Sequence, residues 1–213
     1  NVDFVGHPLL DAIENNIGDY QLSSLKNNKP IIALLPGSRK QEITTMLPIM
    51  LKMASHFTDY NFVIAAAPSQ SKEFYASFIQ GQSIDIVFGQ TYALLKKSHA
   101  ALVTSGTATL EAALFNVPEV VCYKGGTVSY MIARGLIKVK FISLVNLIMD
   151  KEIVTELIQN ELNEKRLKEE LNKLLQPHTR KQLLDDYNKL KEKLGGVGAS
   201  QKTARLMWQY LQQ

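Results

Sequence analysis

Short apolar runs alternate along the chain with longer segments that have the periodicity of amphipathic helices. Runs of about five residues, mostly apolar on both faces, occupy 31–35, 62–66, 84–88, 100–104 and 119–123. Strands that are buried on both faces are typical of parallel sheets covered by helices on each side. The pattern therefore predicts an α/β fold, a Rossmann-like parallel sheet of about six strands flanked by helices.

The segments between the runs supply the predicted helices. Residues 42–57 place their apolar side chains on one side of a helix, and residues 110–115 form a shorter apolar segment. Pro48 lies inside the first of these patterns, and proline removes a helical hydrogen bond. We therefore expect that helix to begin near Pro48, or to kink there.

The last third of the chain changes character. Residues 152–159, 163–175, 179–194 and 199–211 all have amphipathic helical patterns, and we predict no strand between them. The sequence LGGVGAS at 194–200 indicates the end of one helix and the start of another at Ser200. This predicts a Rossmann-like unit over 1–195 and a separate C-terminal helix over 196–213.

Composition and charge narrow the functional classes. With 213 residues, 46% of them hydrophobic, the chain is long enough for a substantial core. The net charge is +4, and residues 151–213 carry 12 Lys or Arg against 9 Asp or Glu. Because these charges are interspersed along helical patterns, they favour solvated helix faces over a nucleic-acid surface. We expect no nucleic-acid partner.

The sequence also bears on the state of its cysteine, on membrane-spanning helices and on metal catalysis. Cys122, the single cysteine, lies in the apolar run VPEVVCY, which predicts a buried reduced thiol and fits a reducing cytoplasm. The longest apolar stretch, residues 131–149, is interrupted by Arg134, Lys138 and Lys140, so it predicts no membrane-spanning helix. No HExxH or CxxC pattern occurs, so the sequence gives no support for metal catalysis.

The loop after the first predicted strand has the sequence PGSRKQE, residues 36–42. Gly37 permits a tight turn, Ser38 is able to cap a helix or donate a hydrogen bond, and Arg39 offers a planar fork suited to phosphate oxygens. The alternative is a simple turn with a helix cap and a surface arginine. The loop alone does not decide between these two interpretations.

A second small-residue loop, TSGTATLE at 104–111, follows the fourth predicted strand. Ser105, Gly106 and Thr107 would present free backbone N–H groups at the start of a helix, an arrangement that binds anions but also occurs in ordinary capping. Glu111 lies one turn into that helix, close enough to accept hydrogen bonds from ribose hydroxyls. Two such loops at one sheet edge suggest a diphosphate, although neither GxxxxGK[ST] nor GxGxxG is present.

Five segments together resemble one family, lipid-A-disaccharide synthase. They are FVGHPLLD at 4–11, IALLPGSRKQEI at 32–43, SGTATLEAAL at 105–114, VVCYKG at 120–125 and FISLVNLIMDKEIVTELIQ at 141–159. Their order and spacing are similar to the C-terminal half of that family, from residue 4 to about 210. The resemblance implies the donor-binding half of a GT-B glycosyltransferase, in which 1–195 is the UDP-sugar-binding domain.

The resemblance also implies substrates and site residues. The full enzyme would join UDP-2,3-diacylglucosamine to 2,3-diacylglucosamine 1-phosphate, the acceptor known as lipid X, giving lipid A disaccharide and UDP. Ser38 and Arg39 would contact the diphosphate, with Gly37 making room for it. The second turn would face the other phosphate, Glu111 the ribose, and Asn146 the donor site. The family usually has proline at the position of Val145, so the loop around Asn146 departs from its pattern.

Further expectations from the resemblance concern the rest of the protein. It implies no metal or other cofactor, and a catalytic base in an N-terminal acceptor domain outside these residues. We expect residues 196–213 to cross back to that domain, and their exposed apolar face to favour a homodimer. The location would be cytoplasmic, peripheral to the inner membrane. The alternatives are another GT-B-type UDP-sugar enzyme, such as a cell-wall transferase or a UDP-N-acetylglucosamine epimerase, and a noncatalytic nucleotide-binding module.

Overall fold

The computed structural model describes residues 2–15, 29–79, 81–125 and 140–212. Its six strands form one parallel sheet in the order β3-β2-β1-β4-β5-β6. The strands are β1 Ile31–Leu35, β2 Asn61–Ala66, β3 Asp85–Phe88, β4 Ser98–Thr104, β5 Glu119–Tyr123 and β6 Thr155–Ile158. All residues of β1 and β2 are buried, as predicted for strands covered on both faces. The prediction is wrong for β3, because β3 is an edge strand whose four residues are half-buried or exposed.

Ten α-helices and one short 3₁₀ helix (Gln159–Glu161) accompany the sheet within the described residues. The α-helices are α1 Pro8–Asn15, α2 Lys40–Leu51, α3 Met53–His56, α4 Lys72–Ala76, α5 Thr91–Lys97, α6 Thr107–Leu114, α7 Leu144–Met149, α8 Glu164–Leu174, α9 Pro177–Lys193 and α10 Ala199–Leu211. The predicted α/β class is confirmed. The buried side chains form two clusters, which contain alternate residues of β1 and thus lie on opposite faces of the sheet.

The helix predicted over 152–159 is wrong, because Thr155–Ile158 is β6. This strand pairs in parallel with β5, with Val121 opposite Glu156 and Cys122 opposite Leu157. Several residues in this short segment are β-branched and suit a strand. The tertiary pairing with β5 therefore outweighs a helical pattern that is only two turns long.

The start of the first long helix also differs from the prediction. Helix α2 begins at Lys40, eight residues before Pro48, and continues through the proline to Leu51. Pro48 is exposed, and so is Thr44, whose carbonyl loses its helical partner at the proline. Water is able to satisfy that carbonyl, so the helix tolerates the proline.

The C-terminal helix α10 packs against α1 at the other end of the chain. Asp11 accepts hydrogen bonds from the backbone N–H groups of Gly198 (2.5 Å) and Ser200 (2.7 Å), at the start of α10. These bonds lower the pKa of Asp11 to about 2. The helix still exposes a large apolar surface: Met207, Trp208, Tyr210 and Leu211 are each more than half exposed.

Two further expectations are that Cys122 is buried and that no helix spans a membrane. Cys122 is a free, buried cysteine in β5, as predicted. Among the described residues, no helix combines the length and apolar character that crossing a bilayer requires. Much of the apolar stretch at 131–149 lies outside the described residues, which resume at residue 140.

Glu119, at the start of β5, generates a prediction about stability and pH. Its side chain is fully buried, and neither carboxyl oxygen has a hydrogen-bond partner among the described residues. Burial, with a smaller contribution from Glu156, raises its pKa well above the usual range. The folded state therefore favours the protonated form, and the protein loses stability as pH rises above the unfolded pKa of about 4.3. We expect Glu119→Gln, which cannot ionise, to gain stability relative to the wild type as pH rises.

Urea unfolding across a pH series would measure this difference. Glu164→Gln is the control of opposite sign, because bonds from His56 and Lys52 lower the pKa of Glu164. Its stability relative to the wild type should fall as pH rises toward about 4.3, where the unfolded carboxyl ionises. A pH-independent difference between Glu119→Gln and the wild type would contradict the burial argument.

Candidate functional site

A cleft of about 400 Å³ lies at the carboxyl ends of β1 and β4. These two strands are neighbours in the sheet, while the chain passes from β1 to β2 on one side and from β4 to β5 on the other. Such a reversal of strand order is where open α/β sheets bind ligands. Seven predicted site residues line the cleft together: Gly37, Ser38, Arg39, Ser105, Gly106, Thr107 and Glu111. The eighth, Asn146, does not.

The loop after β1 is held by a side chain that the sequence interpretation did not select. The Glu42 carboxylate accepts hydrogen bonds from the backbone N–H groups of Ser38 (3.1 Å) and Arg39 (3.2 Å). These two N–H groups are therefore already paired within the protein. Glu42 thus satisfies the start of α2 internally, as in a capping box.

The role predicted for Gly37, making room for a diphosphate, stays a prediction, but the structure shows which protein group lies beside this glycine. Gly37 has φ +107°, and a Cβ built on it would lie 2.7 Å from Oε2 of Glu42. In this structure the space beside Gly37 is thus filled by the Glu42 carboxylate. The glycine is required for the turn and for the close approach of Glu42.

The side chain of Arg39 remains available at the cleft. It is 83% exposed and lies 3.3 Å from the Glu42 carboxylate, a solvent-screened pair that contributes little to stability. The Ser38 carbonyl accepts a hydrogen bond from Ser69 Oγ at 3.2 Å, which joins this loop to the one after β2. The loop therefore offers an exposed guanidinium on a fixed backbone.

The turn after β4 differs from the first loop because, among the residues that the structure describes, no side chain caps it. Gly106 is the N-cap of α6 and has no side-chain cap hydrogen bond, and a Cβ built on it would meet nothing within 4 Å. The uncapped N-terminus of a helix carries unpaired N–H groups and a partial positive charge. This turn is therefore the better prepared of the two to receive an anion.

Glu111 lies one turn into α6, between the core and the cleft. Tyr92 Oη donates to Glu111 Oε1 at 3.4 Å, and partial burial raises the pKa of the Glu111 carboxyl. A carboxylate here is able to accept hydrogen bonds from neighbouring hydroxyl groups of a ligand. The ribose contact that the sequence predicts for Glu111 stays a prediction.

Asn146 is buried in α7, away from the cleft. Its Nδ2 donates to the Val154 carbonyl and to Glu156 Oε1, both at 2.8 Å. Its Oδ1 accepts from the N–H groups of Ile153 (2.7 Å) and Val154 (3.0 Å). Because these four bonds use the whole hydrogen-bonding capacity of the amide, the structure gives Asn146 a structural role and leaves no polar group to reach a donor.

Glu42 and Thr104 are cleft residues that the sequence interpretation missed. A glutamate three residues after a helix N-cap is the capping-box signal, and it was present in the sequence PGSRKQE. Thr104 ends β4 and lines the cleft, and its buried Oγ1 has no hydrogen-bond partner in the described part of the chain. No sequence signal distinguishes this threonine from the other small polar residues of the loop.

A second cavity of about 310 Å³ lies beside the start of β5 and β6, and Glu119, Thr155 and Lys151 are among its lining residues. None of the predicted site residues lines it. The residues that the structure describes also contain no cluster of three or more His, Cys, Asp or Glu side chains with the geometry of a metal site.

Because Glu42 lies close to Gly37, we predict that a methyl group added at position 37 lowers the stability of the protein. Gly37→Ala should destabilise the protein more than Gly81→Ala, because both glycines have positive φ but a Cβ at Gly81 meets nothing within 4 Å. The left-handed conformation costs both variants about 1–2 kcal/mol, and the displaced Glu42 carboxylate adds to the loss at Gly37. Urea unfolding of both variants measures the difference, and equal losses would show that Glu42 is easily displaced.

Comparison with solved structures identifies the fold. The S. aureus MnaA–UDP co-structure aligns with a TM-score of 0.60 at 17% identity, covering 98% of this chain and 53% of that one. The spinosyn rhamnosyltransferase SpnG aligns with a TM-score of 0.60 at 12% identity, covering 89% of this chain and 48% of that one. At these identities the likeness concerns the fold alone, and it places the chain among GT-B-type domains.

Sequence comparison identifies the family. The family model described as lipid-A-disaccharide synthetase matches residues 1–208. The lipid-A-disaccharide synthase of Syntrophus aciditrophicus is 37% identical, covering 96% of this chain and 56% of that protein. That of Gloeothece citriformis is 33% identical, covering 99% and 58%. The chain thus spans little more than half the length of these relatives, and it belongs to the lipid-A-disaccharide synthase family.

Proposed function

We propose that this chain is the donor-binding half of a glycosyltransferase of lipid A synthesis. The complete protein would join UDP-2,3-diacylglucosamine to 2,3-diacylglucosamine 1-phosphate, and this chain would hold the UDP part of the donor. Membership of the family supports the activity. The observation that carries the site assignment is the uncapped start of α6, which faces the same cleft as the Arg39 guanidinium.

In the proposed reaction an acceptor hydroxyl attacks the anomeric carbon of the donor sugar, and the bond from that carbon to the diphosphate oxygen breaks. The electron pair of that bond leaves with UDP, and the configuration at the anomeric carbon inverts. The hydroxyl proton passes to a catalytic base that lies outside these residues. The task of this chain is to stabilise the charge that grows on the diphosphate.

Two groups of this chain suit that task. The N-terminus of α6 directs N–H groups and a partial positive charge at an anion without needing a mobile side chain. Arg39 adds a full positive charge that is able to form paired hydrogen bonds with phosphate oxygens. Together they make the transfer independent of a metal ion. Glu111 completes the site by accepting hydrogen bonds from the ribose.

The remaining proposals concern the surroundings of the protein. Both substrates carry acyl chains, so we place the enzyme in the cytoplasm, peripheral to the inner membrane. The exposed apolar side chains of α10 (Met207, Trp208, Tyr210 and Leu211) would pack against the acceptor domain or a second copy of the protein, because an apolar patch of this kind marks an interaction surface.

Calorimetric titration of this chain with UDP tests the site. We expect equal affinity with and without EDTA, and a dissociation constant about tenfold higher for Arg39→Ala and for Glu111→Ala. Loss of one charge-assisted hydrogen bond costs about 1.5–3 kcal/mol, and 1.4 kcal/mol corresponds to tenfold in affinity.

Lys40→Ala is the matched control for Arg39→Ala, because Lys40 is the next cation along the chain and does not line the cleft. Its UDP affinity should equal that of the wild type. An affinity that falls in EDTA, or that Arg39→Ala leaves unchanged, would remove the proposed charge stabilisation. An affinity that Glu111→Ala leaves unchanged would remove the proposed ribose contact. Disaccharide formation by the complete protein, measured with and without the acyl chains on the donor, then tests the substrate.

A further inference from the structure

The carboxylate of Glu156, on β6, accepts four hydrogen bonds from one short segment. Oε2 accepts from the Ile142 N–H (2.8 Å), and Oε1 accepts from the Ser143 N–H (3.0 Å), Ser143 Oγ (2.7 Å) and Asn146 Nδ2 (2.8 Å). All four donors lie in residues 142–146, where α7 begins. A carboxylate accepts hydrogen bonds on both oxygens, so the Glu156 side chain suits this set of four donors.

A side chain that lines the cleft at the carboxyl ends of β1 and β4 makes a hydrogen bond to this segment. Ser105 Oγ donates to the Ile142 carbonyl at 2.8 Å, and Ser105 lines the cleft at the start of the turn before α6. Glu156 itself does not line the cleft. Glu156 and the cleft are therefore joined by a single peptide group and the hydroxyl of Ser105.

The peptide group between Ile142 and Ser143 also couples the strengths of the two hydrogen bonds that it makes. Ile142 C=O and Ser143 N–H belong to the same amide, so the amide accepts from Ser105 at one end and donates to Glu156 at the other. A hydrogen bond to an anion polarises an amide, and its carbonyl becomes a better acceptor. The negative charge of Glu156 therefore strengthens the bond that holds Ser105.

We propose that Glu156 is a positioning residue for UDP binding. From outside the cleft, it holds the Ser105–Thr107 turn in place through the peptide group between Ile142 and Ser143. This inference rests on the proposed function, in which the turn receives the diphosphate. Its rival is that Glu156 only caps α7 and stabilises the fold, with no effect on the cleft.

Glu156→Gln separates the two accounts. An amide nitrogen cannot accept a hydrogen bond, so either orientation of the glutamine leaves at least one of the four donors unpaired. We expect the dissociation constant for UDP, measured by calorimetry on this chain, to rise about tenfold. Glu170→Gln is the control: Glu170 is a buried glutamate that pairs with Lys173 and Arg166, and it does not line the cleft. It should lose stability and keep its UDP affinity.

A double-mutant cycle with Ser105→Ala tests the route. If Glu156 acts through the Ser105 hydroxyl, the double variant should bind UDP no more weakly than the weaker single variant. If the double variant instead showed the product of the two fold-changes in the dissociation constant for UDP, the route through Ile142 would be overturned. Wild-type affinity in Glu156→Gln would overturn the proposal as a whole.

Amide hydrogen exchange in the absence of ligand keeps this inference separate from the proposed function. The Ser105 N–H donates to the Cys122 carbonyl at 3.3 Å, so its exchange reports opening of the turn. We expect exchange at Ser105 to be about tenfold faster in Glu156→Gln than in Glu170→Gln. Equal exchange would overturn the positioning role even if the wild type failed to bind UDP, a failure that would count against the proposed function.

Discussion

The position of the cleft depends on the parallel pairing of β1 with β4. The two strands are hydrogen-bonded neighbours, although β2 and β3 lie between them in the sequence. The loops that follow them lead into α2 and α6, and the cleft lies between these loops. A sheet with this strand order thus contains a crevice at the carboxyl edge as a consequence of its topology.

The two loops that border the cleft differ in how the backbone N–H groups at the start of the following helix are paired. Each must satisfy the N–H groups at the start of a helix. In the loop after β1 the Glu42 carboxylate does so from within the chain, and Gly37 leaves the space that this requires. In the turn after β4 no side chain from the described parts of the chain does so. The first loop therefore presents Arg39 on a backbone whose N–H groups are already paired, and the second is the turn that we propose as the anion site.

Much of the fold follows from local signals in the sequence. β1, β2 and β4 contain apolar runs that a doubly covered sheet buries, whereas the edge strand β3 is half-buried or exposed. The loop residues at the strand ends could be assigned to one edge from parallel topology alone. β6 could not be found this way, because its four residues include Thr155 and Glu156 and it is defined by pairing with β5. A strand of this length has too little periodicity of its own.

The candidate site was predictable to the extent that its residues follow strands directly. Asn146 and Glu156 illustrate the limit, because both are polar residues whose partners come from a different part of the chain. The sequence shows that such residues need partners when buried, but not whether the partner is a ligand or the protein. Only the fold shows that Asn146 is satisfied internally and that Glu156 lies behind the open turn.

The central claim is that UDP binds at the β1–β4 crevice with its diphosphate on the start of α6. An amide ¹H–¹⁵N NMR titration of this chain with UDP tests it most directly. The account predicts the largest shifts at Gly106, Thr107 and Ala108, and smaller ones at Ser38 and Arg39, whose N–H groups already bond to Glu42. Shifts centred on the cavity at the start of β5 and β6, or a response at Ser38 and Arg39 without one at Gly106, would contradict it.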